Sequence, residues 1–411
     1  MQNEVKIKMF SNNKLYCRCF QSAFNIGAKL MKWRKPILVD GQKSIEKTPE
    51  ILKKEGVKKP LLVAGKRLMT SDAGVTLLKG LEERKIEYAL FDGVTPNPSI
   101  KVIEDIFSKY KEEKCDGFLA IGGGSYIDAA KAAAARVVRP NKSIEQLGGL
   151  LKVGKNIPTF IAVPTTAGTG SETTIAAVVT NTETHHKYSI MDLHLIPKYA
   201  ILDPDLTVGL PPFLTATTGM DALTHAIEAF LCWTLYTKES RRFAKEATAS
   251  IINNIEKAFN DGADINARSE MLIASFKAGF AFTRSGVGNV HAIAHTLGGL
   301  YDTAHGLANA VILPIVLEDY GDKIYPELAE LAEISGVANE GTTSEKAKKF
   351  IEKIYELNAS MNLPKNFDFI KDEDIPTMVK WATKEANPVY PVPVVYDEKR
   401  FEAVIKKVRG V

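Results

Sequence analysis

The text of this chain changes character at Pro211-Pro212, and no other feature constrains its fold as strongly. From about residue 36 to 210, short apolar runs alternate with polar helical stretches. The runs are PILVD, PLLVAG, IEYALFDG, GFLAIGGG, IPTFIAVPTT and KYAILDP, and segments such as SIKVIEDIFSKYKEEK and SYIDAAKAAAARVV lie between them. A parallel return needs a crossover, usually a helix, so this alternation predicts βαβ units and a mostly parallel sheet. After the double proline strands nearly vanish and helical periodicity takes over, as in SRRFAKEATASIINNIEKAFN and ARSEMLIASFKAGFAF. The expected architecture is an α/β domain over 36–210 and an all-helical domain over 211–411, with residues 1–35 as an N-terminal accessory element.

At 411 residues, 45% hydrophobic and 25% charged, the chain can bury two cores. No apolar run approaches the roughly 18 residues that span a bilayer. Cys17, Cys19, Cys115 and Cys232 are few for the length, and Cys17-x-Cys19 is too tight for a zinc knuckle. Four reduced thiols and a cytoplasmic setting follow. The net charge of +4 hides an asymmetry: residues 1–59 carry 14 Lys and Arg against 5 Asp and Glu, or +9, leaving −5 for the rest. A basic start admits a targeting peptide or an anionic partner. However, KIKMFSNNKLYCRCFQS alternates like short strands around Asn12-Asn13, and no small-residue cleavage site follows an apolar core. A folded hairpin is expected there, with neither a nucleic-acid nor a membrane partner.

Seven histidines occur in the whole chain, and four fall at 225, 291, 295 and 305 in apolar helical text. An unpaired imidazole is costly to bury there. Asp221 and His225 are four apart in GMDALTHAIEAF, so both side chains leave one helix face a turn apart. His291 and His295 repeat the spacing, and His305 follows beyond Gly298-Gly299, where the chain is expected to turn back. Asp221, His225, His291 and His305 suit a divalent first-row transition metal with positions left open for water or substrate.

Two glycine-rich turns follow strands in the first half. GFLAI runs into Gly122-Gly123-Gly124-Ser125 and a helix whose amino end can bind an anion. The spacing is not GxGxxG. IPTFIAV runs into Pro164-Thr165-Thr166-Ala167-Gly168-Thr169-Gly170-Ser171-Glu172, which adds hydroxyls and N–H groups. Loops at the carboxyl ends of strands are where open α/β sheets bind ligands, so a dinucleotide is the favoured guest of a Rossmann-like domain.

GGGSxxD with Asp128, PTTAGTGSE, GMDALTHAIE and HAIAHTLGG with the later HG resemble together the iron-containing (group III) alcohol dehydrogenases, whose members include butanol, lactaldehyde and propanediol enzymes. The likeness runs over about residues 36 to 400. It implies oxidation and reduction between a short-chain primary alcohol or diol and its aldehyde, with Fe2+ (Zn2+ possible) on Asp221, His225, His291 and His305. It also implies cofactor contacts at Asn97, Gly123, Gly124, Ser125, Asp128, Thr165, Thr166, Thr169 and Lys187, and a proton relay at His295. The alternative for His295 is a structural group that only orients ligands. Relatives are usually dimers or larger, and an N-terminal edge strand is expected to pair across a two-fold axis. Where NAD-preferring relatives carry Val-Thr-Asp-Lys after the second strand, this chain has Val63-Ala64-Gly65-Lys66-Arg67. Loss of the acid at Gly65 beside Lys66 predicts preference for NADP(H) over NAD(H).

Close alternatives are a zinc polyol dehydrogenase of the glycerol type and a hydroxyacid-oxoacid transhydrogenase. A metallohydrolase and a noncatalytic nucleotide sensor are more distant. Of Phe280, Phe282 and Trp233, Phe282 is the expected wall of the substrate pocket. The stretch NPVYPVPVVY reads as an extended loop that either closes over the pocket or merely connects helices.

Overall fold

The computed structural model describes residues 13–182 and 186–411. The chain forms two compact units. Lys32–Leu210 and Gly262–Gly279 make one; the described residues up to Met31, Pro211–Asp261 and Phe280–Val411 make the other.

The first unit is built on a six-stranded parallel sheet of order β1-β9-β6-β4-β2-β3. Its strands are β1 (Ile37–Asp40), β2 (Pro60–Ala64), β3 (Ala89–Phe91), β4 (Gly117–Gly122), β6 (Thr159–Pro164) and β9 (Tyr199–Leu202). All six correspond to the apolar runs read from the sequence. A second sheet of β5 (Gly149–Leu150), β7 (Ala176–Asn181) and β8 (His186–Met191), in the order β5-β8-β7, was not expected. In β7 (AAVVTN) and β8 (HKYSIM) the polar residues mask the period-two signal.

Side-chain alternation explains the burial of the central strands on both faces. Leu61, Val63, Phe118, Ala120, Phe160 and Ala162 enter one core; Leu62, Ala64, Leu119, Ile121, Ile161 and Val163 enter the other. Phe118 lies between Tyr110 and Phe160, with ring centroids 4.6 and 5.9 Å away.

The helices, in chain order, begin with α1 (Lys14–Leu30), α2 (Thr48–Lys54), α3 (Lys66–Met69), α4 (Asp72–Glu83), α5 (Ile100–Glu112), α6 (Gly124–Val138) and α7 (Ile144–Leu147). There follow α8 (Pro212–Leu231), α9 (Lys238–Asn260), α10 (Ile265–Ser285), α11 (Asn289–Tyr301) and α12 (His305–Tyr320). The last are α13 (Tyr325–Ile334), α14 (Thr343–Ser360), α15 (Ile375–Ala386) and α16 (Glu398–Arg409). Among the described residues no strand follows Pro211, and no helix is long and apolar enough to cross a membrane.

Two local expectations are corrected. The described part of the N-terminal hairpin is a helix, with the Asn13 side chain accepting from the N–H groups of Leu15 and Tyr16, while residues 1–12 lie outside the described residues. Nor does the chain turn at Gly298-Gly299. Helix α11 continues to Tyr301 and is broken by Asp302, at φ 51°. Gly299 has a packing role, since a Cβ there would stand 3.2 Å from the Trp381 ring on α15.

Candidate metal centre and cofactor loops

Helix α8 is apolar on nearly every side and packs between α9 and α12, so its polar residues are buried with it. Asp221 and His225 lie one turn apart on α8, and His291 comes from the first turn of α11. His305 opens α12, and its side chain is 41% exposed. Gly306 permits this closure: a Cβ there would lie 2.2 Å from the Thr217 carbonyl oxygen of α8. One ligand atom from each of the four residues lies within 4.8 Å of the others. Asp221 Oδ1 is 3.4 Å from His305 Nε2 and 3.9 Å from His291 Nε2. Ligand atoms around an ion at about 2.1 Å stand roughly 3 to 4 Å apart, so the donor set fits a first-row divalent ion with slight contraction.

The lone pairs already converge. His291 Nδ1 meets Glu228 Oε2 at 2.6 Å, which makes Nδ1 the donor and leaves Nε2 as an acceptor facing the cluster. Burial, reinforced by the neighbouring imidazoles, holds His291 well below its ordinary pKa and therefore neutral. Burial pushes Glu228 up to about 8, against the pull of the Gly288 and Val290 N–H groups at 2.7 and 2.8 Å. Asn309 Nδ2 donates to Asp221 Oδ1 at 2.7 Å and lies 3.2 Å from Nε2 of both His291 and His305. A single polar hydrogen source thus sits where three acceptors meet.

Phe282 stacks on His225 with ring centroids 4.0 Å apart and so forms a wall of this site. Phe280 is core against Phe243, and Trp233 packs with Arg18 and Gln21. His295 is half-exposed and stacks on His305 with centroids 5.2 Å apart. Its Nδ1 meets Glu385 Oε1 at 2.5 Å, and the same oxygen accepts the Tyr390 hydroxyl at 2.6 Å. Burial raises the Glu385 carboxyl, but the charge and hydrogen bond of His295 and the Tyr390 hydroxyl leave it below its ordinary value.

In the other unit, the expected cofactor residues lie in the segments that follow β2, β3, β4 and β6 and on β8. Gly65 caps α3, while Lys66 is largely exposed and pairs with Asp92 at 3.5 Å. Asn97 is exposed at φ 54° in the turn before α5. Lys187 is exposed on β8 opposite Thr180, which also bridges Ser99. Gly123, Gly124 and Ser125 open α6, and its N-cap, Gly123, has no side chain to cap the first N–H groups. The loop after β6 packs directly on this turn, because a Cβ on Gly124 would stand 2.7 Å from Thr169 and one on Gly123 3.4 Å from Thr166. Thr165 N–H donates to the Gly122 carbonyl at 3.0 Å. Strand order reverses at β2 and β4, the type of crevice where such sheets bind nucleotides.

Asp128 has an internal task in this structure. Its two oxygens accept from Ser171 Oγ at 2.5 Å and Val178 N–H at 3.0 Å, tying the threonine loop and β7 to α6. Lys131, fully buried one turn later, donates to the carbonyls of Ser171, Thr174 and Ala176. Burial pushes Lys131 down to about 8, and it pushes buried Glu172 up to about 7.

Sequence reasoning missed Glu228, Asn309, Glu385 and Tyr390. Glu228 and Asn309 had a signal: each is a polar residue in an apolar helix, three or four positions beyond a ligand histidine. Glu385 lies 90 residues from His295 and had none.

The profile of the iron-containing alcohol dehydrogenases matches residues 36–204, and that of the C-terminal part of the Fe-containing alcohol dehydrogenase family matches 215–408. The 1,3-propanediol dehydrogenase of Klebsiella pneumoniae is 39% identical over 342 residues, 81% of this chain and 87% of that protein. The lactaldehyde reductase of Escherichia coli (strain K12) is 33% identical over 83% of this chain and 90% of its own length. A crystal structure of 1,3-propanediol oxidoreductase superposes with a TM-score of 0.87 at 35% identity, covering 92% of this chain and all of that one. The chain belongs to the iron-containing alcohol dehydrogenase family.

Proposed function

We propose, with that membership as the premise, that this chain interconverts a short-chain primary alcohol or diol and its aldehyde, with Fe2+ held by Asp221, His225, His291 and His305 and hydride exchanged with a nicotinamide dinucleotide. Alcohol–aldehyde oxidoreduction is the activity of the family. The observation that carries the local reading is the convergence of one carboxylate and three imidazoles within 4.8 Å. Zn2+ suits the same donors, so Fe2+ rests on the family rather than on ligand chemistry.

A divalent ion at these residues supplies Lewis acidity toward the substrate oxygen, and the nicotinamide supplies the hydride acceptor. The chain's own groups do the rest. Glu228 fixes the His291 tautomer, and Phe282 holds the His225 ring and keeps that side of the site apolar. His295, held by Glu385, takes the alcohol proton toward solvent. The N–H groups opening α6 and the hydroxyls of Thr165, Thr166 and Thr169 receive the dinucleotide, with Asn97, Ser125 and Lys187 as further contacts.

NADP(H) is accepted in this reading because no acid stands at Gly65. Lys66 already has Asp92 as a partner, which lessens the attraction for a 2′-phosphate and keeps NAD(H) usable. A cytoplasmic setting fits four free thiols. A homodimer fits the open edge at β1, where Ile37 and Leu38 are exposed.

The test is metal content and turnover together. His291→Ala or Asp221→Ala is expected to lose bound metal and to lower kcat by roughly 10³-fold or more, whereas His295→Ala keeps the metal and loses about 10²-fold. Near wild-type turnover with full metal in either ligand variant overturns the assignment. Specificity constants for NADPH and NADH in wild type and Gly65→Asp test the cofactor reading. A wild type favouring NADH tenfold refutes NADP(H) preference. Because a Cβ at 65 would stand 3.0 Å from the Tyr126 hydroxyl, Gly65→Ala is the steric control.

A further inference from the structure

Helix α1 lies ahead of the family match, which begins at residue 36, and the function above gives it no task. Gln21, on this helix, is 1% exposed. A buried amide must find partners for both ends. Its Nε2 donates to the carbonyls of Pro388 and Tyr390 at 3.0 and 2.7 Å, and its Oε1 accepts from Trp233 Nε1 at 2.6 Å and Arg18 at 3.1 Å. Arg18 forks onto the carbonyls of Val392 and Pro393, both at 2.7 Å, and lies 4.6 Å from the Trp233 ring centroid. The flanks of this loop are fixed separately, by Asn387 on the Tyr396 carbonyl and Asn289 on the Val394 carbonyl. Its middle, from Pro388 to Pro393, thus ends four carbonyls on two side chains of α1. That middle carries Tyr390, whose hydroxyl shares Glu385 Oε1 with His295.

We propose that Gln21 and Arg18 are positioning residues, holding the Tyr390 backbone so that the Tyr390 hydroxyl, Glu385 and His295 stay aligned beside the metal ligands. The inference rests on the reading of His295 as the proton carrier. It makes α1 part of the oxidoreductase's working machinery and turns the 387–396 loop into a strap drawn tight from outside.

The experiment uses the full-length, metal-loaded enzyme in a double-mutant cycle. Gln21→Leu is expected to lower kcat for alcohol oxidation roughly tenfold, the low end of the cost of an outer-shell partner, with metal content and the nicotinamide KM unchanged. In a Tyr390→Phe background the same substitution is expected to cost less than about twofold, because the hydroxyl through which it acts is gone. Wild-type kcat in Gln21→Leu, or an equal loss in both backgrounds, overturns the proposal. Arg18→Lys keeps the charge but not the fork, and an approximately threefold loss with the same coupling supports the idea even if Gln21→Leu folds poorly. No loss, or an uncoupled loss, in Arg18→Lys counts against it. His295→Ala in the same series separates the two claims. If it lowers kcat while Gln21→Leu does not, only the strap fails; if it leaves kcat unchanged, the reading of His295 fails and the strap with it.

Discussion

In the helical unit every group assigned to the ion is a side chain on a buried helix, whereas in the sheet unit the groups assigned to the dinucleotide are largely backbone N–H groups and hydroxyls in turns. The contrast follows from what each element leaves unsatisfied. A helix interior has no spare N–H, so α8 can offer only side chains, placed by the 3.6-residue repeat, while in the first turn of α11 the free Val290 N–H is taken by Glu228. A strand running into a helix exposes the helix's first N–H groups at the turn, so α6 offers backbone and needs glycine to let another loop close on it. Buried charge is used differently as well. Glu228 faces a ligand of the proposed ion, while Lys131 and Glu172 lie buried beside the threonine loop.

If this division is right, the pattern of donors and acceptors should matter more than volume in the helical unit. Glu228→Gln keeps the shape but must turn an amide N–H₂ toward one of three donors, His291 Nδ1, Gly288 N–H and Val290 N–H. Metal affinity is expected to fall about 10- to 100-fold, measured by competition with a chelator, while the dinucleotide affinity of the metal-loaded protein is unchanged. Unchanged metal affinity would make Glu228 a mere helix cap and break the comparison.

Volume should matter more than charge in the sheet unit. Gly124→Val places carbon where Thr169 now stands, 2.7 Å from the built Cβ, and pushes the two loops apart. The KM for the dinucleotide is expected to rise about tenfold with full metal content, because the substitution displaces binding groups without removing any charge. Loss of metal in this variant, or an unaltered KM, would remove the separation of tasks.

The same contrast explains what the sequence could reveal. Side chains at fixed helical spacing are legible, which is why Asp221, His225, His291 and His305 could be named together and why the structure gathers them. The six strands of the main sheet were legible because their text is apolar, most of all in the central strands, which are buried on both faces. The β5-β8-β7 sheet was not, since its mixed residues follow no single period. Nor was the position of the turn after α11, where Gly298 and Gly299, the second packed against Trp381, imitate a helix stop and an aspartate supplies the real one. The N-terminal segment deceived in the opposite direction. Its aromatic and cysteine-rich text suits strands by propensity, but Asn13 caps a helix whose buried face meets the 387–396 loop. Glu385 and Tyr390 were illegible because Glu385 reaches His295 from 90 positions downstream and Tyr390 acts only through Glu385.

The smallest expected effect concerns the buried charges that support the threonine loop. Glu172 is pushed up to about 7 by burial, against the pull of its own backbone N–H and Lys131, so between about pH 4.5 and 7 the folded chain binds more protons than the unfolded one. Stability therefore falls as pH rises through that window, since unfolding releases a proton. Lys131, pushed down to about 8, acts in the opposite direction: between about pH 8 and 10.5 the unfolded chain holds the extra proton, and this contribution increases stability with pH. Glu172→Gln removes the first slope and leaves the second. Thermal unfolding at pH 5 and 7.5 should show the wild type losing roughly 2 °C more than the variant between the two pH values. Parallel curves would mean that Glu172 does not titrate in this window, and that the partners of its carboxylate offset its burial. The sheet unit's buried charge would then no longer contrast with the helical unit's, and the loop would be held by hydrogen bonds alone.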